Sequence, residues 1–286
     1  MTDLSEKVIL LGGGLGRTKK GKLKAGLGVH IAKRLIAGGA KQVIVTDIDE
    51  EVVSLAAAEI GGNCKGIACD LLKERKSETK EFETERGIKT EVVWTDNPAQ
   101  DLVEQVVDEF GKIDVLITAF DEYDKGRVEK SDMDMYEKLK QGNVTPVFHL
   151  LGAIRPQFAA QAKSTGKMGK VIILTHMVGK AGMAMASLYS AFKGGMVGLV
   201  KSLAREFGRF ASVVGLACGA VSEKNMFGPK DRMKKRYMVT QTEYSNIKLK
   251  PELIAGPVAF LASDDADGIS GQTYSVDGGL WLKVEI

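Results

Sequence analysis

The chain has 286 residues and a formal net charge of +3, with 40 Lys and Arg against 37 Asp and Glu. This length can bury a large core, so one domain spanning residues 1–286 is the simplest organisation. The charge balance gives no case for nucleic-acid or membrane binding, and no apolar run reaches the length of a bilayer span. Cys64, Cys69 and Cys218 lack metal-ligand spacing, which predicts free thiols and no metal site. We expect no signal peptide and a cytoplasmic location.

The first predicted strand, residues 8–11, leads into a glycine-rich stretch at 12–28 and then a helix. A glycine-rich turn between strand and helix is typical of nucleotide phosphate sites. An insertion at about 14–25 separates Gly13 from Gly26, and it is basic. Its basic side chains are Arg17, Lys19, Lys20, Lys22 and Lys24. Two interpretations stay open: a basic flap that grips a phosphate of an NADP-type cofactor or of coenzyme A, or a mobile loop that has destroyed the turn.

The second predicted strand, residues 43–46, ends at Asp47, where an acid would accept hydrogen bonds from the adenosine ribose and repel a 2′-phosphate. A densely charged insertion follows at about 72–97. Within it, residues 73–86 predict an exposed helical turn or loop, and residues 90–94 alternate like a short strand. This insertion is either solvated or a partner surface.

A helix at 102–110 and a strand at 114–118 precede the sequence Thr118-Ala119-Phe120-Asp121. Farther on, a buried strand at 171–174 and a glycine-bearing loop lead to a helix at 189–206. Tyr189 and Lys193 are four residues apart, so both project from one face of that helix. A nearby ammonium favours the phenolate, so we expect Lys193 to lower the pKa of Tyr189 toward a working range for acid/base chemistry.

This order of elements, the YxxxK pair and the tail at 251–279 resemble the short-chain dehydrogenase/reductase (SDR) family over nearly the whole chain. The resemblance implies an α/β fold: a Rossmann-type doubly wound parallel sheet with helices on both faces. It implies that Tyr189 is the general acid/base and that Lys193 lowers its pKa and holds the nicotinamide ribose. Asn143 matches the helix Asn that holds a water in the proton relay, although a structural role also fits.

The resemblance also assigns cofactor residues. Gly13, Gly26 and Gly28 match the three glycines of the family's TGxxxGxG turn, and Asp70 matches the strand-end Asp that reaches the adenine ring. With Asp47 after the second strand, these residues imply that any bound cofactor is NAD. The alternative is that this chain binds no cofactor.

Three departures from the family fall at the cofactor or substrate site. The glycine turn is expanded, Phe120 and Asp121 stand where the family has Ala and Gly, and His176 replaces the Ser that hydrogen-bonds the substrate oxygen. The segment at about 220–246 is Met-rich and basic, either a lid over a large thioester substrate or a solvated helix. The tail matches the family closely and implies a tetramer.

Because the losses are confined to the site while the assembly motifs persist, the pattern favours a catalytically silent subunit that supports an active SDR sister, perhaps acting on a hydroxyacyl-CoA. Heteromeric SDR enzymes of that kind exist. The alternatives are an active NAD-dependent alcohol dehydrogenase or ketoreductase in which His176 orients the substrate, and a dinucleotide sensor without turnover. The tetramer is formed either by this chain alone or with the active subunit.

Overall fold

The computed structural model describes residues 3–73, 75–84, 87–219, 221 and 249–279. The strands are β1 (Val8–Gly12), β2 (Gly16–Lys19), β3 (Lys22–Ala25), β4 (Gln42–Asp47), β5 (Cys64–Ala68), β6 (Lys76–Thr84), β7 (Gly87–Asp96), β8 (Val115–Thr118), β9 (Gly169–His176), β10 (Ala211–Cys218) and β11 (Thr273–Val276). The helices are α1 (Leu27–Ala37), α2 (Glu50–Ile60), α3 (Pro98–Phe110), α4 (Met133–Asn143), α5 (Thr145–Thr165), α6 (Val178–Ala181), α7 (Ser187–Glu206) and α8 (Pro251–Ala262).

Seven of these strands form one sheet in the order β11-β10-β9-β8-β1-β4-β5. All neighbouring pairs in this sheet are parallel, as expected when each strand is followed by a crossover to the next. Strands β4 and β5 lie on one side of β1, and β8 to β11 lie on its other side. The chain therefore crosses back over the sheet after β5 and then builds outward from β1 in the opposite direction. The predicted doubly wound Rossmann-type fold is confirmed.

The strands bury both of their faces. Ile9 and Leu11 of β1 pack into a core beneath α1, α2 and α8, whereas Val8 and Leu10 pack into a second core beneath α3, α5 and α7. Successive strand residues point to opposite faces, so a strand covered on both sides must be apolar at every position. This is why the predicted strands appear as continuous apolar runs.

Two antiparallel hairpins project from this sheet, one within each predicted insertion. β2 pairs with β3, and β6 pairs with β7. The prediction of a helical turn or loop at 73–86 is wrong for residues 76–84, which form β6. Side chains 76–83 are all exposed, so their dense charge reflects solvent on both faces of a hairpin and not a helical period. The predicted strand at 90–94 is confirmed within the longer β7.

Within the described ranges, no helix is long and apolar enough to cross a membrane. The carboxyl ends of β1, β4, β8 and β9 all meet at one edge of the parallel sheet, which is where such folds bind ligands. The glycine turn follows β1, Asp47 ends β4, Phe120 follows β8, and His176 ends β9. The fold thus brings the sequence-predicted site residues to a single edge.

Candidate active site

The glycine turn after β1 is compact despite the insertion. Gly13 and Gly14 adopt φ angles of 79° and 71°, in the left-handed region that favours glycine. The amide of Gly26 donates to the carbonyl of Leu15 (2.9 Å), and the amide of Gly28 donates to that of Gly14 (2.8 Å). These bonds close the base of the β2–β3 hairpin, so the chain leaves the turn and returns to it. The interpretation of this segment as a loop that has destroyed the turn is wrong.

Small residues are required where the chain comes back from the hairpin into the glycine turn, at Gly26 and Gly28. A Cβ atom on Gly28 would lie 2.6 Å from the Gly13 carbonyl oxygen, and one on Gly26 would lie 2.3 Å from the Gly14 oxygen. Neither neighbour can move away easily, because both are backbone atoms of the same turn. Gly13, Gly26 and Gly28 therefore hold the start of α1 directly against the end of β1, as a phosphate-binding turn requires.

Two acids predicted to contact the adenosine end lie on neighbouring strands. Asp47 is half-buried at the end of β4, and burial raises the pKa of its carboxyl, although backbone amides of Asp49 and Ile48 oppose this. Asp70 follows β5, and its Oδ1 accepts hydrogen bonds from the amides of Leu72 (2.9 Å) and Lys73 (3.2 Å). Asp70 thus caps the turn after β5, and Asp47 accepts a 2.8 Å bond from the amide of Ile48.

Tyr189 and Lys193 lie one turn apart on α7 and are almost fully buried, at 1% and 2% exposure. The Tyr189 hydroxyl donates a 2.7 Å hydrogen bond to Oδ1 of Asp121. Lys193 Nζ forms a salt bridge to the same oxygen (2.9 Å) and donates to the carbonyl of Phe120 (3.0 Å). Asp121 therefore bridges the two residues of the predicted dyad. Lys193 Nζ itself lies over the Tyr189 ring, 5.5 Å from its centroid.

This bridge sets the electrostatics of the pair. The Asp121 side chain is 55% exposed, and partial desolvation of its carboxyl raises the pKa. The charge of Lys193 and the hydrogen bond from Tyr189 outweigh this effect, so the pKa is lowered and Asp121 is an anion. Burial, and after it the Asp121 charge, raise the pKa of Tyr189 well above its ordinary value. The expectation that Lys193 lowers the pKa of Tyr189 is wrong for this structure, because burial disfavours the phenolate and, after it, Asp121 compensates the ammonium and faces the phenol.

The space beside the glycine turn is filled by Phe120. A Cβ atom on Gly13 would lie 2.5 Å from Cδ1 of the Phe120 ring, and one on Gly12 would lie 3.0 Å from its Cε2. The aromatic ring thus packs directly on the turn between β1 and α1. A small residue at position 120 would leave that space open.

His176 ends β9 beside the dyad, with its ring centroid 5.7 Å from that of Tyr189. Its Nδ1 accepts a 3.2 Å bond from the amide of Val178, which places the proton of a neutral imidazole on Nε2. Nε2 is buried and has no hydrogen-bond partner among the described residues. Burial is the main cause that lowers the pKa of His176 to about 4, so the ring is neutral at neutral pH. The neighbouring Thr175 hydroxyl instead donates to the carbonyl of Lys193 (2.8 Å).

Asn143 is 1% exposed at the end of α4, and its amide group is fully used. Nδ2 donates to the carbonyls of Glu122 and Leu139, both at 2.8 Å. Oδ1 accepts from the amide of Glu122 at 3.3 Å. Of the two roles left open by the sequence, these contacts favour the structural one, since Asn143 ties α4 to the segment that carries Asp121.

The sequence identified Asp121 as a departure but missed its contact with the dyad, and it missed Tyr123, whose ring packs edge-on against Tyr189 at 5.1 Å. The available signal was that β8 and β9 are neighbours, so residues after β8 must lie beside those after β9.

The described residues contain no group of three or more His, Cys, Asp or Glu suited to a metal ion. The lid-like segment at about 220–246 lies outside the described residues except for Val221.

Comparisons with known proteins agree with this architecture. The family model described as Enoyl-(Acyl carrier protein) reductase matches residues 72–281. Galactitol 2-dehydrogenase of Agrobacterium fabrum is 28% identical over 269 residues, covering 90% of this chain and 94% of that protein. The 3-oxoacyl-[acyl-carrier-protein] reductase FabG of Salmonella typhimurium is 27% identical over 257 residues, covering 90% and 93%. A solved 3-ketoacyl-(acyl-carrier-protein) reductase of Brucella melitensis, complexed with NADH, has a TM-score of 0.76 at 24% identity, covering 98% of this chain and 100% of that chain.

Proposed function

Because this chain belongs to the short-chain dehydrogenase/reductase family of oxidoreductases, we propose that it is a catalytically silent subunit supporting an active SDR sister subunit of the alcohol dehydrogenase or ketoreductase type. One observation carries this proposal: the Asp121 carboxylate binds both the Tyr189 hydroxyl and the Lys193 ammonium. A family dyad needs the reverse arrangement, in which the phenol faces a cation and is thereby made more acidic. Here the phenol is stabilised in its neutral form.

The residues present fit a nicotinamide dinucleotide only in part. The compact glycine turn and Asp47 suit the adenosine end, since one offers backbone amides and the other a carboxylate. At the nicotinamide end, the Lys193 ammonium already binds Asp121 and the Phe120 carbonyl, and the Phe120 ring covers Gly13. The nicotinamide half therefore does not fit this arrangement, and no hydride-transfer step is assigned to this chain.

The assembly half of the proposal is supported by the surface of α8 and β11, where the family resemblance implies tetramer contacts. Large apolar side chains stay exposed there: Leu253 at 45%, Phe260 at 41% and Tyr274 at 44%. Leu253 and Phe260 are seven residues apart, two turns along one face of α8, and exposed apolar groups on one face suit a surface that a partner covers. A tetramer with an active SDR subunit, as in enzymes of the 2-[hydroxy(phenyl)methyl]succinyl-CoA dehydrogenase type, would bury them and would place an acyl-CoA substrate in the sister's site.

The test uses the full chain, alone and co-expressed with any intact SDR that a neighbouring gene encodes. Each preparation is assayed with NADH and NADPH against ketone, polyol and 3-oxoacyl thioester substrates. We expect no turnover from the lone chain. In the assembly, Tyr189→Phe should leave turnover unchanged, while the equivalent Tyr→Phe change in the sister should abolish it. Turnover by the lone chain that disappears with Tyr189→Phe refutes the proposal.

A second candidate is an active NAD-dependent alcohol dehydrogenase, and His176 favours it. Its Nε2–H is a buried donor without a partner among the described residues, beside Tyr189. Such a donor costs free energy unless something binds it, and a substrate carbonyl or alcohol oxygen would be a suitable acceptor. Turnover that falls by about 10²–10³ in His176→Phe would support this candidate. Binding of NADH without turnover would indicate the dinucleotide sensor instead.

A further inference from the structure

The outward face of the β2–β3 hairpin is cationic. Strand alternation exposes Arg17 and Lys19 on β2, and Lys22 and Lys24 on β3. The inward face carries Leu23 and Ala25, which pack against the core beneath α1 and α2. The hairpin is therefore anchored by its apolar side, and its charge is displayed on the other.

The register of the hairpin places like charges directly opposite each other. Arg17 pairs with Lys24, and Lys19 pairs with Lys22. Directly opposed side chains stand about 5 Å apart, and successive pairs on one face are about 7 Å apart along the strand. Like charges in such pairs repel and destabilise a hairpin. The arrangement forms a compact four-cation surface, and a bound anion would reduce the repulsion between its charges.

Arg17, Lys19, Lys20 and Lys22 receive little charge compensation from the rest of the described chain. Residues 16–25 contain no acid. Arg17 contacts Glu122 at 3.4 Å while its side chain stays 83% exposed. Lys19, Lys20 and Lys22 form no salt bridge within the described ranges. Lys20 also occupies a turn position with φ of 53°, beside Gly21 at 67°, where Asn or Gly is favoured. The sequence thus keeps a cation even where the backbone disfavours one.

The hairpin stands beside both parts of the candidate site. Its base is closed by the bond from Gly26 to Leu15 inside the glycine turn. Arg17 reaches Glu122, the residue after Asp121, which bridges the dyad. A ligand that lies on the hairpin would therefore also border the site edge of the sheet.

We propose that this four-cation surface, formed by Arg17, Lys19, Lys22 and Lys24, binds the clustered phosphates of a nucleotide-bearing ligand. A single phosphate reaches one cationic pair, whereas a pyrophosphate or bisphosphate group spans two. Two sources share this chemistry: the pyrophosphate of a dinucleotide and the 3′-phospho-ADP part of a coenzyme A thioester. The inference rests on the hairpin alone and holds whether or not Tyr189 turns over substrate.

The experiment is calorimetric titration of the full chain with inorganic pyrophosphate, coenzyme A, dephospho-coenzyme A and NADH at low and high salt. The test variant is Lys19→Gln/Lys22→Gln. The matched control is Lys163→Gln/Lys167→Gln, which removes the same charge from exposed lysines in the last turn of α5 and in the loop before β9, on the opposite edge of the sheet. We expect the hairpin variant to weaken pyrophosphate binding about tenfold and to reduce its salt dependence, and the control to change it less than about twofold.

The remaining ligands separate the two sources. A tenfold loss for coenzyme A, with weaker binding of the dephospho form, identifies the thioester source, whereas a loss confined to NADH and pyrophosphate identifies the dinucleotide. Absence of wild-type binding to all four probes at low salt overturns the proposal, as does an equal loss in both double variants. If the hairpin variant instead impairs only assembly with the sister subunit, the surface binds an acidic protein and the proposal fails. Thermal unfolding of both variants checks that each is folded.

Discussion

Asp121 accepts a 2.7 Å hydrogen bond from the hydroxyl of Tyr189, so the phenol of the dyad faces an anion. The same oxygen lies 2.9 Å from Lys193 Nζ, so the carboxylate offsets the positive charge that would otherwise favour the phenolate. Two side chains of α7 and the Asp121 side chain that follows β8 thus satisfy one another's hydrogen bonds and charges. The proposal of a catalytically silent subunit rests on this cluster, because it favours the neutral phenol over the phenolate.

The first prediction concerns stability. Asp121→Asn removes the negative charge that compensates the Lys193 ammonium, whose side chain is 3% exposed and whose other partner among the described residues is the neutral Phe120 carbonyl. We expect the free energy of unfolding to fall by about 1–3 kcal/mol, less than for a fully buried pair because the Asp121 side chain is 55% exposed. Urea denaturation measures the change. Asp124→Asn is the control, since its partner Lys138 is 50% exposed and its loss should cost under about 1 kcal/mol. Equal losses would contradict the account.

The second prediction concerns pH. Burial lowers the pKa of His176 to about 4 from an ordinary 6.5, so between these values the unfolded chain binds a proton that the folded chain does not. The stability is complete above about 6.5 and is lost as the pH falls toward 4, by on the order of 3 kcal/mol. Asp121, whose pKa is lowered below 3.8, loses its contribution only at lower pH. Denaturation of His176→Gln should show a flatter profile, with His30→Gln as control. An unchanged slope in His176→Gln would refute this assignment.

A third prediction addresses the cofactor side. Phe120→Ala/Asp121→Gly removes the ring that covers Gly13 and frees Lys193 from its carboxylate partner. Affinity for NADH, measured by calorimetry, should rise by at least about tenfold, since both obstacles at the nicotinamide end are removed. Phe148→Ala/Asp134→Ala, which removes an exposed ring and an exposed acid, should leave affinity unchanged. The account fails if the first double variant binds no better than the wild type.

The fourth prediction tests the compact turn. Gly28→Ala would place a Cβ 2.6 Å from the Gly13 carbonyl oxygen, and we expect a loss of about 1–3 kcal/mol in the free energy of unfolding. Gly195→Ala, on an exposed face of α7 with open space around it, should instead gain about 0.5–1 kcal/mol from helix propensity. Thermal denaturation compares the two. A tolerated Gly28→Ala would show that the turn is looser than described.

The fold could be predicted because its signals are local. Strands buried on both faces produce apolar runs such as residues 171–174, and the YxxxK spacing places Tyr189 and Lys193 on one helix face. The hairpin at 16–25 was not predicted, since its closure depends on backbone bonds from Gly26 to Leu15 and from Gly28 to Gly14 across the insertion, which the sequence pattern does not reveal.

The chemistry of the site was predicted only in part. Spacing brought Tyr189 and Lys193 together, but the pKa of Tyr189 is raised first by burial and then by Asp121, which is 68 residues away in sequence. A carboxylate at hydrogen-bond distance from both side chains opposes the effect that the Lys193 ammonium alone would have on the Tyr189 pKa. His176 was correctly placed beside the dyad, whereas its depressed pKa arises from burial that only the folded chain defines.

The most direct test of the Asp121 bridge is the titration of the Tyr189 phenol, followed by the Cζ resonance of ¹³C-labelled tyrosine and assigned with Tyr189→Phe. The account predicts that this resonance stays unchanged from neutral pH to pH 10, the ordinary pKa of a phenol, because burial and the Asp121 charge hold the hydroxyl protonated. In Asp121→Asn the midpoint should move downward. A wild-type phenol that deprotonates with a midpoint well below 10 would show that Lys193 controls it, and would contradict the account.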